Sequence, residues 1–260
     1  MTFLVLLLLA ASSAQDHYNR ANALFSKGQF VEASAELDAA LAADPKLVPA
    51  LTLKAKLAMA INKFDIARAC LERALSIEPQ SPYVRFLSGF FHYVDNDFAK
   101  AIPALERAKE LQPDDIRTHF YLALAYEGMA QPEKARQLYD RTLDLEKRAG
   151  QPSADTHVAY GRMLFSLGEY DASEKQIARA LQLDGGSRDA HYETGRLHFE
   201  RGKYEAAAAA GERALALAGA GTTDRQIHFL LARAYRKVGK LELAETHMSR
   251  FKASGVSLRR

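Results

Sequence analysis

Residues 30–45 read FVEASAELDAALAADP, residues 64–79 read FDIARACLERALSIEP and residues 98–113 read FAKAIPALERAKELQP. Each stretch opens on a phenylalanine (Phe30, Phe64, Phe98) and closes on a proline (Pro45, Pro79, Pro113), with a step of 34 residues between them. A period of that length is a helix-turn-helix unit. With the proline set as position 32, repeats begin at Ala14, Val48, Pro82, Ile116, Ala154, Arg188 and Arg225. The interval grows by four residues around Arg148–Ser153 and by three around Gly219–Thr223. Four residues are about one helical turn, so the second helix of repeat four is predicted to run one turn long.

Small residues fall where two helices must approach closely. Position 8 holds Ala21, Ala55, Gly89, Ala123, Gly161, Gly195 and Ala232, and position 20 holds Ala33, Ala67, Ala101, Ala135, Ser173, Ala207 and Ala244. Position 24 supplies the filling bulk as Leu37, Leu71, Leu105, Tyr139 and Ile177, the alternation of size that close packing requires. Position 15 carries Gly28, Asn62, Asn96, Gly168, Gly202 and Gly239, residues that tolerate the left-handed backbone just past a helix end. Pro103 falls inside the second helix of repeat three and predicts a bend there.

These residues in this phase resemble the tetratricopeptide repeat, and the resemblance runs from Gln15 nearly to the end of the chain. It implies an all-α fold, a right-handed α-solenoid of about seven helix-turn-helix units. The organisation expected is a leader over residues 1–14, repeats one to four over 15–147, an extension over 148–153, repeats five to seven over 154–254 and a tail over 255–260. The departures are His at position 4 (His17, His119, His157, His191, His228), and Ala130-Gln131-Pro132 in place of the turn of repeat four.

With 48% hydrophobic and 26% charged residues the chain is neither disordered nor collagen-like, and one cysteine excludes a disulfide framework. The net charge of +3 is too small to imply nucleic acid. Charge is nevertheless segregated, with +7 over residues 225–260 and −4 over the rest. Phe3–Ala11 is too short to span a bilayer as a helix. Ahead of Ser12-Ser13-Ala14 it reads as a cleavable export signal, placing the protein in the periplasm or outside the cell. The alternative is a first helix that caps the array in a cytoplasmic protein.

Seven of the eight histidines fall at positions 4 or 11 of the first helices, where they are expected to pack, and successive repeats stand too far apart for them to share a metal. No nucleophile, dinucleotide or calcium motif is complete, so no enzyme activity, catalytic residue, metal or cofactor is expected. In the family resembled, positions 2, 5, 9 and 12 of the first helices line a concave groove. The candidate binding residues there are Phe86, Phe90, Tyr93 and Phe120, followed by Arg162, Phe165, Tyr192, Arg196, Phe199, Phe229, Arg233 and Arg236. Aromatics and arginines dominate interface energy, so the expected function is a scaffold holding a protein or peptide segment, an acidic one by charge, in envelope, secretion or pilus assembly. The alternative is glycan binding, with Asp189 or arginines holding hydroxyls or uronates. The family's carboxylate clamp for chaperone tails is not expected, because Tyr18, Leu53, Tyr83 and Leu87 stand where its polar residues belong.

Overall fold

The computed structural model describes residues 2–219 and 221–256; side chains are described for 13–219 and 221–254. Among the described residues there are fourteen helices, twelve of which form six consecutive antiparallel pairs: α1 (Thr2–Ser26) with α2 (Phe30–Ala43), α3 (Val48–Ala60) with α4 (Phe64–Ile77), α5 (Pro82–Val94) with α6 (Phe98–Leu111), α9 (Ala154–Ser166) with α10 (Tyr170–Leu183), α11 (Arg188–Glu200) with α12 (Tyr204–Leu215) and α13 (Asp224–Lys237) with α14 (Leu241–Val256); α7 (Ile116–Gly128) and α8 (Pro132–Ala149) stand between the third and fourth pairs in chain order. No strand occurs among the described residues. The chain divides into two compact units, residues 1–138 and 139–260, with the division inside α8. The side chains of the apolar run Phe3–Ala11 and residues 257–260 of the expected tail lie outside those described.

The turns follow the sequence closely. Gly28, Asn62, Asn96, Gly168, Gly202 and Gly239 all take positive φ, between 58° and 78°. The atypical turn of repeat four keeps the same geometry by holding Ala130 at φ 54°, and Pro132 then opens α8 with its ring already set for a helix. Five second helices begin on the aromatic residue that opens their phrase. α6 continues unbroken through Pro103.

Packing at the pair contact follows from side-chain size. Gly89 and Gly161 lie where an added Cβ would stand 2.5 Å from Leu105 Cγ and 2.6 Å from Ile177 Cδ1, so in these two repeats a methyl group would force the position-24 residue opposite to move. Repeat six inverts the rule with Gly195 and Gly211, and Leu230 and Leu231 of α13 fill the space instead. Tyrosines at position 11 tie neighbouring repeats: Tyr126 donates to Glu106 and Tyr235 to Glu212, each at 3.0 Å. Burial, reinforced by the carboxylate that accepts the bond, pushes both phenols up to about 12.

The two insertions are accommodated differently. α8 has 18 residues against the 14 of α6 and α10, one added turn. Glu146 on that turn is buried and accepts from Thr156 Oγ1 at 2.5 Å and Ser153 N at 3.2 Å, fastening the start of α9. In repeat six the added residues lengthen a loop. Arg188 donates to Leu217 O at 3.0 Å and pairs with Asp224, Asp189 accepts from Thr222 N at 2.6 Å, and Thr223 with Gln226 forms a capping box for α13.

Candidate partner-binding site

The histidines take structural roles, by two routes. Those at position 4 reach position 23 of their own second helix, His17 to Glu36 at 2.6 Å and His157 to Gln176 at 2.7 Å. His119 and His191 instead bond the carbonyls of Pro113 and Gly185. His228 meets His247, the eighth histidine, at 2.9 Å. The hydrogen bond from His17, with that from Arg20, holds the Glu36 carboxyl below its ordinary range. Among the described residues no group of three metal-ligating side chains assembles.

In residues 1–138 the predicted aromatics gather around a residue the sequence reading did not single out. Tyr121, at position 6 of repeat four, lies 4.7 Å from Phe90, 5.3 Å from Phe120, 5.5 Å from Tyr93 and 5.9 Å from Phe86, ring centre to ring centre. Phe86 is 7% exposed, stacked on Phe90 at 6.2 Å with the Arg117 guanidinium 4.9 Å over its ring. Phe90, Tyr93 and Phe120 remain half-buried. On the same unit a cavity of about 380 Å³ opens between α1, α3 and α5, lined by Tyr18, Asn22, Lys56, Glu78 and Tyr83. Lys56 stands 5.4 Å over Phe25, and among the described residues its ammonium forms no ion pair with a carboxylate.

Residues 139–260 build a different surface, in which guanidinium groups lie on rings. Arg196 is 4.0 Å from the centre of Phe165 and 5.9 Å from that of Tyr192, while Arg233 is 4.2 Å from Phe199 and 5.6 Å from Phe229. Two cavities flank Phe199 and Arg233. One of about 160 Å³ reaches Phe165, Tyr192 and Phe229; the other, of about 420 Å³, reaches Tyr204, Arg236 and Lys237. Phe199 is 9% exposed, with Arg233 over its ring and Tyr204 meeting it edge-on at 5.3 Å. Phe229 is the exposed aromatic of the group, at 40%.

The arginines differ in how much charge they offer. Arg196 donates to Glu193 at 2.8 Å, and Glu193 is 4% exposed; burial raises its pKa against the opposing pull of Arg196 and Arg162. A guanidinium already paired inside the fold has less to give a partner. Arg162, Arg233 and Arg236 are exposed, and among the described residues none of them forms an ion pair with a carboxylate. Asp189, assigned to sugar hydroxyls in the glycan alternative, is taken up by the loop at Thr222.

Family models match most of the repeat array in sequence. One described as tetratricopeptide repeat matches residues 120–188 and 161–222, and another with the same description matches residues 14–87. The chain belongs to the tetratricopeptide repeat family. It has the all-α solenoid fold of that family, a class of protein-interaction scaffolds. No curated protein matches the sequence. Among solved structures it is similar to a tetratricopeptide repeat protein from Parabacteroides merdae (17% identity, TM-score 0.73, covering 93% of both chains) and to PilF from Pseudomonas aeruginosa (19%, 0.67, 79% of this chain and 92% of that one). MamA from Desulfovibrio magneticus is similar over 66% of this chain and 95% of its own, at 19% identity and a TM-score of 0.58. Identities this low speak for the shared fold. Among the described residues no helix is long and apolar enough to cross a membrane.

Proposed function

We propose that this tetratricopeptide repeat protein is a non-catalytic scaffold that holds an acidic segment of another protein against the first helices α9, α11 and α13. The observation that carries the reading is a pair of exposed arginines on α13, Arg233 among the rings of Phe165, Tyr192, Phe199 and Phe229 and Arg236 beside Phe199 and Tyr204, with no ion pair to a carboxylate among the described residues. Rings give buried contact area, and the guanidinium forks give geometry-matched bonds to carboxylates. The net charge of +7 over residues 225–260 draws such a segment to this end of the chain. The apolar run ahead of Ala14 supports an exported setting, and assembly of envelope, secretion or pilus components is the biological role this reading favours.

Charge reversal tests it. Capture of partners from native cells by wild-type protein is compared with capture by Arg233→Glu/Arg236→Glu, and by Lys175→Glu/Arg179→Glu as a control on the exposed side of α10. The groove variant is expected to lose at least about tenfold in retained partner, more steeply at low salt, and the control to lose little. Equal capture by all three contradicts the proposal. Retention of wild-type protein on secreted or cell-wall polysaccharide, abolished by the same groove variant, transfers the site to a glycan.

A further inference from the structure

Repeat seven contains two buried imidazoles that the binding face does not use. His228 on α13 and His247 on α14 face each other Nδ1 to Nδ1 at 2.9 Å, with ring centres 5.1 Å apart. Between two ring nitrogens at that distance there is room for one hydrogen, so one ring donates and the other accepts. The surroundings decide which. His247 Nε2 lies 3.3 Å from Glu212 Oε1 of α12, an oxygen that also accepts from Tyr235. A carboxylate accepts only, so His247 carries its hydrogen on Nε2 and its Nδ1 receives the bond from His228.

The other charges around the pair come from each neighbouring element. Asp224 at the start of α13, itself paired to Arg188 of α11, and Glu212 of α12 favour a positive ring, while Arg250 of α14 opposes it. Burial is the largest influence on both rings and disfavours their charged forms. One added proton is still compatible with the contact. A charged His228 keeps its Nδ1 donor, and a charged His247 sits between Glu212 and the lone pair of a re-tautomerised His228. A second proton is not compatible, because it sets N–H against N–H and charge against charge at 2.9 Å.

We propose that His228 and His247 form a one-proton latch that holds α13 against α14 at neutral pH and releases the seventh repeat when acid puts a proton on both rings. α13 also carries Arg225 and Phe229, which contact Phe251 of α14 at 4.3 and 5.0 Å on the binding side. Opening the pair therefore dismantles that end of the proposed site. This consequence rests on the binding reading; the latch does not, and its test involves no partner.

The sign follows from proton counting. Below about pH 6.5 both rings of the unfolded segment are protonated while the native pair holds at most one added proton, so stability falls as pH falls, by about tenfold in the folding constant per pH unit for each proton withheld. Amide hydrogen exchange of α14, referenced to α10 in the same molecule, is measured at pH 7.5, 6.5 and 5.5 in wild type and in His247→Gln, whose amide oxygen accepts from His228 at every pH. Wild-type protection of α14 is expected to drop at least about fivefold more than that of the variant over this range. Equal drops overturn the latch, as does micromolar zinc that raises protection only when both histidines are present. Should the variant not fold, the wild-type imidazole resonances decide. The latch requires the second native titration to lie well over one pH unit below the first, and two titrations near 6.5 refute it.

Discussion

Leu105→Ala is expected to destabilise repeat three by about 2–5 kcal/mol, and Gly89→Ala by about 1–3 kcal/mol, while the double variant costs less than the sum of the two. Leu105 is fully buried, and its Cγ and Cδ2 stand 2.5 and 2.8 Å from where a Cβ on Gly89 would lie. Shortening Leu105 removes both clashes and leaves room for the added methyl. The remaining approach to Leu105 N, 3.1 Å, keeps the rescue incomplete. Urea unfolding of the four proteins measures the coupling. A favourable interaction of about 0.5–3 kcal/mol fits two residues sharing one space. Strict additivity would mean that the pair contact does not set the spacing of these helices.

Glu146→Ala is the second large effect, with an expected loss of about 2–3 kcal/mol for residues 139–260. The carboxylate is 3% exposed and holds both Thr156 Oγ1 and Ser153 N, so its removal leaves one buried and one part-buried donor without that acceptor. Glu146→Gln keeps one acceptor oxygen and is expected to lose about half as much. Faster hydrogen exchange at the start of α9 in the alanine variant, with α13 unchanged, shows that the extra turn of α8 is a fastening. Unaltered exchange at α9 contradicts that role.

The fold was legible because its rules are local and recur. A small residue at position 8, bulk at position 24 and a left-handed residue at position 15 are size and backbone requirements that each repeat states again. The 18-residue length of α8 followed from counting four inserted residues against one helical turn. Three added residues in repeat six do not make a turn, and there a loop clamped by Arg188 and Asp189 took their place.

The candidate site was less legible because register gives a side chain's direction and not its cover. Phe86 and Phe199 point as their positions imply, yet Arg117 and Arg233 lie across them. Such cation–ring contacts pair residues from different repeats, and no linear spacing announces them. Tyr121 falls outside the groove positions and was passed over, although four rings meet on it. The pairing of Arg196 with Glu193 was open to reading as an i, i+3 ion pair. The burial that gives that pair its weight was not. His228 and His247 stand 19 residues apart, the same position 4 to position 23 step as His17 to Glu36 and His157 to Gln176, so that meeting was readable once the step was known.

The proposal that a partner lies along the first helices of residues 139–260 is tested most directly by site-specific photo-cross-linking in the native cells. A photoreactive amino acid is placed at position 233 on α13 and, separately, at position 205, an exposed site on the second helix α12. The account predicts a discrete partner adduct from position 233 and little or none from position 205. An adduct from position 205 with none from position 233, while the partner is still captured, would contradict it.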